Sequence, residues 1–575
     1  MPRANDTVEA VLLEYADLLS ISSGDPFKPR AYEKAARAVG GYHADVTQLD
    51  LKGILEIPSV GQSIGEKVEE FLRTGTIESL DELRSKIPAG VRQMMSVPGL
   101  GPKKALTLYT DLGISNVEDL LHAVDAGQLS DLKGFGPKTA DNIRAGIARL
   151  RESSDRVLVS VALDLAETLL AELQGLKGVK RSAYAGSLRR MAETIGDVDL
   201  LVAASEKDAP AIMEAFAELP QAERVIAQGD TKTSFISTLG PQVDLRVVPL
   251  EVWGAAMIYF TGSKAHNIRI REMAVRKGLK LSEYGLFEAK TGTLIVAETE
   301  EQVYERLGLP YFEPTLREDR GEVEAALAGE LPDVIEQRQM KGDLHTHTKL
   351  TDGLATLEEM LQVAAARKYA YYAVTDHAPN LFMQRMTDAK MLAQRAQLEK
   401  LRGKYPKMTL LQGSELNIDA EGAVDWEADF LAGFDLHVAS VHSLFTQSKD
   451  EMTRRIVRAM ENPYVNIIGH PTGRKIGHRP PIEFDLDEVF KAAARTGTAL
   501  EINAFPDRLD LRDEHILWAK RHGVRFAIDT DSHATTHLDV MRFGVATAQR
   551  GWLTKDDVIN AWPLAKLRTF LRKGR

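Results

Sequence analysis

From Lys341 onward, short apolar segments alternate with amphipathic ones, and nearly every apolar segment stops on a histidine or an acid: GDLHTH, YYAVTDH, TLLQGSE, LHVASVH, VNIIGH, TALEIN and RFAIDTDSH. Short apolar runs separated by helical periodicity read as buried parallel strands, and seven of them predict a β/α barrel. Barrels of this kind build their active sites just beyond the C-terminal ends of the strands. His345, His347, His377, Glu415, His442, His470, Asp531 and His533 all fall there, with Asp352 in the loop after the first strand.

His345 and His347 are two residues apart, so on a strand they face the same side and can serve neighbouring ions. Cysteine is absent, which excludes disulfides, thiol catalysis and thiolate zinc sites, so any ion must be held by imidazole and carboxylate. Nine such groups exceed the needs of one ion and predict two or three clustered ions. Such ions lower the pKa of a bound water to about 7 and clamp phosphate oxygens, the chemistry of phosphoester hydrolysis. A single strand-end histidine is usually a packing residue; nine donors at corresponding positions are not explained that way. Asp376 and Asp529 read as residues that orient a ligand, and His437, His478, His515, His522 and His537 as non-ligands.

The array resembles the PHP (polymerase and histidinol phosphatase) domain in its HxH opening, TDH, Glu, VHS, GHP and final DxH motifs. The resemblance implies that all nine ligand positions of that family are filled. It implies either a sugar-phosphate or histidinol phosphatase or a DNA exonuclease, and the fold alone does not choose between them.

The chain's 575 residues leave room for several further domains. No uninterrupted apolar run approaches the ~18–20 residues of a membrane span, and acids interrupt the N-terminal MPRANDTVEAVLLEYADLL. A cytoplasmic protein without leader, anchor or membrane contact is expected. The formal charge of −11 is spread evenly along the chain, so nucleic-acid binding must rest on local patches. One such patch between Gly262 and Lys280 has Lys264, Arg269, Arg271, Arg276, Lys277 and Lys280 against Glu272, although such a run is often only a solvated helix face.

Residues 1–150 read as short helices with three related turns, SVGQSIGEKV, PGLGPKKALTLY and KGFGPKTADNI. From about residue 157 the pattern is mixed: AYAGS, DVDLLVA and QVDLRVVP are strand-like, LDLAETLLAEL and APAIMEAFAEL helical, and REDRGEVEAALAGELP is an acidic helical connector to the barrel. DVDLLVA sets Asp197 and Asp199 on one face of a strand, and QVDLRVV offers Asp244 on another. Three converging carboxylates can hold two Mg²⁺ or Mn²⁺ ions about 3.5–4 Å apart, which activate a 3′-hydroxyl and stabilise departing pyrophosphate. Upstream, Gly186 and Ser187 permit backbone approach to phosphates and Arg190 offers a charged fork.

With the run YFTGSKAHNIRIR, these features make residues 1–317 resemble family X DNA polymerases of the polymerase beta type. The resemblance implies that Asp197, Asp199 and Asp244 bind the catalytic ions, and that Ser187, Arg190 and Gly196, beside Gly186, contact the triphosphate. Tyr259 and Phe260 would press against the sugar, with Gly262 in the same nucleotide-binding run. Asn267 and Arg271 would meet the minor-groove edges of the incoming nucleotide and template. Vertebrate members have an acid where this chain has Lys264; a cation there would strengthen nucleotide binding before template is engaged, or stand as a solvated lysine. PGLGPKKA and KGFGPKTA match the helix-hairpin-helix motif, which makes Gly99, Gly101, Gly134 and Gly136 candidate phosphate contacts. Gly61 is the counterpart in the first turn, where Ser59 replaces a preferred glycine. Lys67 aligns with the lysine that relatives use as a Schiff-base nucleophile on a 5′-deoxyribose phosphate, or it binds phosphate only.

The expected architecture is multidomain, α+β and α/β: a lyase-like helical domain (1–82), fingers with two helix-hairpin-helix motifs (83–152), a nucleotidyltransferase palm (153–250), a thumb (251–317), a linker (318–338) and a (β/α)7 PHP barrel (339–575). The leading reading is a monomeric repair polymerase that fills short gaps in gapped or nicked DNA using dNTPs and trims 3′ ends with Mn²⁺ or Zn²⁺ in the barrel. An abasic-site endonuclease, shown by some relatives, stays open. Two other readings are a barrel acting as phosphatase or pyrophosphatase, and a DNA-end scaffold with structural metals, which would leave the three palm carboxylates without a role.

Overall fold

A computed structural model describes residues 4–22, 27–40, 42, 45–87, 89–95, 97, 100–129, 132, 135, 139–141, 143–144, 147, 156–381 and 386–573. Gly99, Gly134 and Gly136 lie outside the described residues. The front of the chain is helical, and two of its helices start on glycine caps in extended backbone: α1 (Gln62–Thr74) after Gly61 and α2 (Pro102–Leu112) after Gly101. Their apolar faces share one core with Leu12, Val68, Leu108 and Leu120. Ser59 sits at φ 64, the left-handed region that the motif's glycine would occupy without strain.

The palm is a sheet of β1 (Arg181–Tyr184), β2 (Asp197–Ala203), β3 (Ala222–Gln228), β4 (Lys232–Ser237) and β5 (Gln242–Val248), in the order β1-β2-β5-β4-β3. Only β2 and β5 run parallel, and their register sets Asp199 beside Asp244. The strand expected over AYAGS ends earlier, at Tyr184. Gly186 takes φ 59 and opens the short helix α3 (Gly186–Arg189), so the chain leaves the sheet just before the serine. Next in the chain, α4 (Trp253–Thr261) packs on Leu201 and Val248 of the palm sheet, and α4 and α5 (Lys264–Arg276) pack on a three-stranded antiparallel sheet. Ser263 caps α5 by accepting from His266 N. The acidic connector contains α6 (Glu322–Ala328).

All seven segments of the C-terminal half are parallel strands: β6 (Gly342–Asp343), β7 (Tyr371–Val374), β8 (Thr409–Asn417), β9 (Leu436–Ser440), β10 (Ile467–Ile468), β11 (Ala499–Asn503) and β12 (Phe526–Asp529). Each pairs with the next in chain order, as successive β/α units dictate. The two ends of the sheet meet beyond β6 and β12, where Thr346 bridges Ser532 and His347 N donates to Ser532 O at 2.8 Å. Asp529 takes part in this closure by accepting Leu344 N at 2.8 Å.

Palm and barrel are packed together. Leu509 and Phe543 of the barrel are buried in the palm's apolar cluster, and Arg474 pairs with Glu193 at 2.7 Å. From α7 (Met541–Arg550), Arg550 donates to the Arg190 carbonyl at 2.8 Å and pairs with Glu318 at 2.7 Å. Among the described residues no helix is long and apolar enough to cross a membrane.

Candidate functional site

Two groups of acids and imidazoles stand out, one on the palm and one at the mouth of the barrel. On the palm, alternation along β2 turns Asp197 and Asp199 to one face, and the parallel register brings Asp244 alongside. Asp197 is exposed and Asp199 half-buried. Burial first, then the charges of Asp197 and Asp244, push the Asp199 carboxyl up to about 7. For Asp244 burial also acts upward. Hydrogen bonds from Lys232, Gln242 and Ser234 outweigh it and hold that carboxyl below its ordinary value; the Lys232 and Gln242 contacts are both 2.8 Å. The excess negative charge suits the site to divalent cations bound through oxygen.

Gly186 has a packing reason to be glycine: a Cβ there would lie 2.2 Å from the Asp199 carboxylate, and its φ is left-handed as well. Ser187 follows in α3, and Gly196 immediately precedes β2 with the Arg156 guanidinium close by. Arg190, the last of this group, is turned toward Glu318 at 3.0 Å and also donates to the Thr261 carbonyl. Tyr259 and Phe260 sit edge to face at 5.0 Å, and Arg246 lies 4.7 Å over the Phe260 ring. Asn267 donates to the Tyr259 carbonyl at 2.7 Å, Arg271 donates to Asn267 O at 3.2 Å, and Lys264 is exposed at the start of α5. Gly262 takes φ 69 between α4 and α5.

At the barrel mouth the nine candidate ligands come from every strand end except that of β11. Ligand atoms lie within 4.8 Å of one another in three overlapping sets: His347, Asp352, His377 and His533; His345, His347 and Asp531; and His377, Glu415 and His442. His470 stands outside these sets, with its Nε2 3.0 Å from Glu415. Glu415 is the hub, also 2.9 Å from His377 and 3.1 Å from His442. Burial pushes its carboxyl up, but His442, His377 and His345 outweigh this and hold it well below its ordinary value. Burial presses His345 and His377 down, yet the acids around them raise both well above the imidazole value. His347 is lowered by burial and by His533 and His377. His470 and Asp531 sit at φ 29 and 51, backbone strain of the kind concentrated at functional sites.

The donor set fits divalent ions. It is imidazole and carboxylate only, and His345 Nε2, His470 Nδ1 and both ring nitrogens of His347 are buried without a hydrogen-bond partner. The overlapping sets, sharing His347 and His377, have room for more than one ion.

Around the ligands lies a supporting layer that the sequence reading missed. Glu501 accepts from His345 Nδ1 at 2.6 Å and also from the His470 amide. Asn417 meets His442 Nδ1 at 2.7 Å, and Asn503 donates to Asp531 at 3.1 Å. Glu501 and Asn503 face inward from β11, the strand that supplies no ligand; an acid inside the apolar run TALEIN was the available signal. Asp376 accepts from Thr348 N at 2.9 Å and from Gln394 at 2.6 Å, which pins the loop leading to Asp352. His437, His478, His515, His522 and His537 belong to none of the three sets. His522 instead pairs with Asp487, and the His537 ring lies 5.0 Å from that of Phe505.

In the helical front, Gly61 and Gly101 are exposed, and a Cβ on either would meet nothing within 4 Å. The helix N-termini they cap are open to an anion. Lys67 is half-buried, donates to Ser63 O at 3.3 Å and lies 5.9 Å from the Tyr15 ring centre.

Comparison with known proteins agrees with this layout. Residues 3–77 match a helix-hairpin-helix domain, 91–149 a SAM-like helix-hairpin-helix tandem, 256–318 the DNA polymerase beta thumb and 343–505 the PHP domain. The DNA polymerase/3′-5′ exonuclease PolX of Bacillus subtilis is 35% identical over 560 residues, covering 97% of each chain. DNA polymerase lambda of Rattus norvegicus is 27% identical over 51% of this chain and 53% of its own length. A probable phosphatase of Thermoanaerobacter sp. is 31% identical over 40% of this chain and 95% of its own length. The chain belongs to the bacterial family X DNA polymerases that carry a C-terminal PHP domain.

Proposed function

We propose that this chain is a template-directed DNA polymerase that fills short gaps during DNA repair and removes nucleotides from 3′ ends through its barrel. One observation carries the reading: a single chain holds three converging palm carboxylates and, separately, three overlapping sets of imidazole and carboxylate ligands. Asp197, Asp199 and Asp244 would hold two Mg²⁺ or Mn²⁺ ions, which supply positive charge at the triphosphate and the primer 3′-hydroxyl. Asp244, kept ionised by Lys232 and Gln242, is ready to accept a cation, and Asp199 gives up its proton as the site fills. Arg190 reaches the triphosphate by exchanging Glu318 for phosphate, with Gly186, Ser187 and Gly196 offering close backbone approach. Arg550 stays on Glu318 and neutralises it. Tyr259, Phe260 and Gly262 border the sugar, Asn267 and Arg271 the base edges, and Lys264 the entering nucleotide.

In the barrel, His345, His347, Asp352, His377, Glu415, His442, His470, Asp531 and His533 would hold two to three Mn²⁺ or Zn²⁺ ions, which supply an activated water and charge at the phosphate. Glu501, Asn417 and Asn503 fix the ring orientations and carboxylate geometry of that set. Gly61, Gly99, Gly101, Gly134 and Gly136 would hold the DNA backbone, with gapped or nicked duplex as substrate and the protein acting as a cytoplasmic monomer. Lys67 would support a 5′-deoxyribose phosphate lyase, and the barrel an abasic-site endonuclease. The domain limits we assign are 1–82, 83–152, 153–250, 251–317, 318–338 and 339–575.

A 3′-labelled oligonucleotide tests the nuclease. Loss of terminal nucleotides with Mn²⁺, abolished by His345→Ala, is the expected result; phosphate release from small esters alone would favour the phosphatase reading. A relative that covers 97% of the chain is named a polymerase and exonuclease, whereas the phosphatase relative covers 40% of it, which makes that second reading the weaker. Borohydride trapping on a gapped abasic substrate tests Lys67: a cross-link lost in Lys67→Ala is expected, and one that survives the substitution removes the lyase.

A further inference from the structure

At the barrel mouth, the buried polar atoms without a hydrogen-bond partner differ in what they can bind. Nε2 of His345, Nδ1 of His470 and either ring nitrogen of His347 offer a lone pair to a cation. Nη1 of Arg508 is buried and without a partner too, but a guanidinium only donates and cannot ligate a metal. It sits beside the cluster, its Nε 3.8 Å from Asp531 Oδ2 with 18% of the side chain exposed. That distance is too long for the paired, short hydrogen bonds an arginine makes when its purpose is to neutralise a carboxylate.

Asp507 and Asp510 as well as Asp531 and Glu415 face this guanidinium and keep it charged; when divalent cations engage Asp531 and Glu415, Arg508 loses part of that balance, and an anion held between it and the ions restores it. Phosphate is the anion such a site processes, and the planar guanidinium fork is suited to it. The loop that carries Arg508 is built to hold this position. Arg474 donates to the carbonyls of Arg508 and Leu509 at 2.8 and 2.6 Å and pairs with Glu193 of the palm. The buried Asp510 carboxylate accepts Thr472 N and its hydroxyl, the latter at 2.8 Å. Leu509, at φ 40 and 2% exposed, is buried in the palm's apolar cluster. Adjacent residues of one loop therefore face the ligand cluster and the polymerase core.

We propose that Arg508 is a catalytic residue of the barrel site, gripping the phosphate under attack through its free Nη1 while the palm, through Leu509 and Glu193, keeps it in place. This rests on the phosphoesterase reading of the barrel. The test uses full-length protein loaded with Mn²⁺ and compares the parent, Arg508→Gln and Arg508→Lys. The readouts are bound manganese by mass spectrometry, calorimetric binding of dTMP and inorganic phosphate, exonuclease kcat and KM, and gap extension.

For Arg508→Gln the expected results are unchanged manganese content and gap extension, dTMP binding weaker by about tenfold or more, and exonuclease kcat/KM lower by about 10²–10³-fold. Arg508→Lys should recover part of both losses. Equal dTMP and phosphate binding in parent and Arg508→Gln would overturn the inference, as would loss of manganese from Arg508→Gln, which would make the residue a support for Asp531. Arg508-dependent phosphate binding in a parent that degrades no DNA would sustain the inference and sink the nuclease reading instead.

Discussion

The palm and the barrel mouth both gather acids, yet they balance charge in opposite ways. On the palm three carboxylates share a strand pair with Lys232 and Arg246 nearby, and the repulsion left over, added to burial, pushes Asp199 up to about 7. At the barrel mouth imidazoles alternate with acids, so Glu415 and Asp531 are held well below the carboxylate range while His345 and His377 are raised. The palm thus keeps an excess of carboxylate charge, beyond what Lys232 and Arg246 offset, for divalent ions to neutralise. The barrel carries its own counter-charge and must release protons from imidazole before a metal can bind.

The largest effect is expected at the barrel hub. Glu415→Ala should lower exonuclease activity on the order of 10³-fold and strip bound metal, with gap extension retained. An ion content equal to the parent's would mean that Glu415 is not a shared ligand. On the palm, Asp199→Asn should cost extension a comparable factor while stabilising the ion-free protein at pH 8 by on the order of 2 kcal/mol. The sign follows from the raised pKa. Between the unfolded value near 3.8 and about 7 the folded protein keeps a proton that the unfolded chain has lost, so ion-free stability falls as pH rises through that window. Thermal melts of both proteins from pH 5 to 8 check it; parallel curves would contradict the charge balance described for the palm.

Glu501→Gln sharpens the barrel side. It leaves one oxygen to accept from His345 Nδ1 but removes the charge and sets an amide NH2 against the His470 amide, and metal affinity should drop about 10–100-fold, measured by chelator competition. Lys264→Ala, the smallest effect, should weaken dNTP binding without DNA by about tenfold, the value of one charge-assisted hydrogen bond. Unchanged affinity in a direct titration would return Lys264 to the role of a solvated lysine.

How much was legible in the sequence differs between the same two regions. The seven barrel strands were readable because each is a short apolar run, and the candidate ligands because their chemistry stands out at the strand ends. Glu501 and Asn503 were not, because inward-facing residues within an apolar strand look like core, and only the fold shows that β11 supports its neighbours' ligands. On the palm the DxD pattern was plain. The strand read over AYAGS instead turns at Gly186, where proximity to Asp199, a long-range contact, excludes any side chain. The packing of palm against barrel through Leu509, Arg474 and Arg550 joins segments far apart in sequence, and no local periodicity announces it.

Two active centres in one chain should be separable by substitution. A gapped duplex with labelled primer, given dNTPs and Mn²⁺, reports extension and degradation in the same lane, with Asp199→Ala and His345→Ala run in parallel. Asp199→Ala should lose extension and keep degradation, and His345→Ala should do the reverse. Loss of both activities in either variant, with its fold intact, would contradict the account.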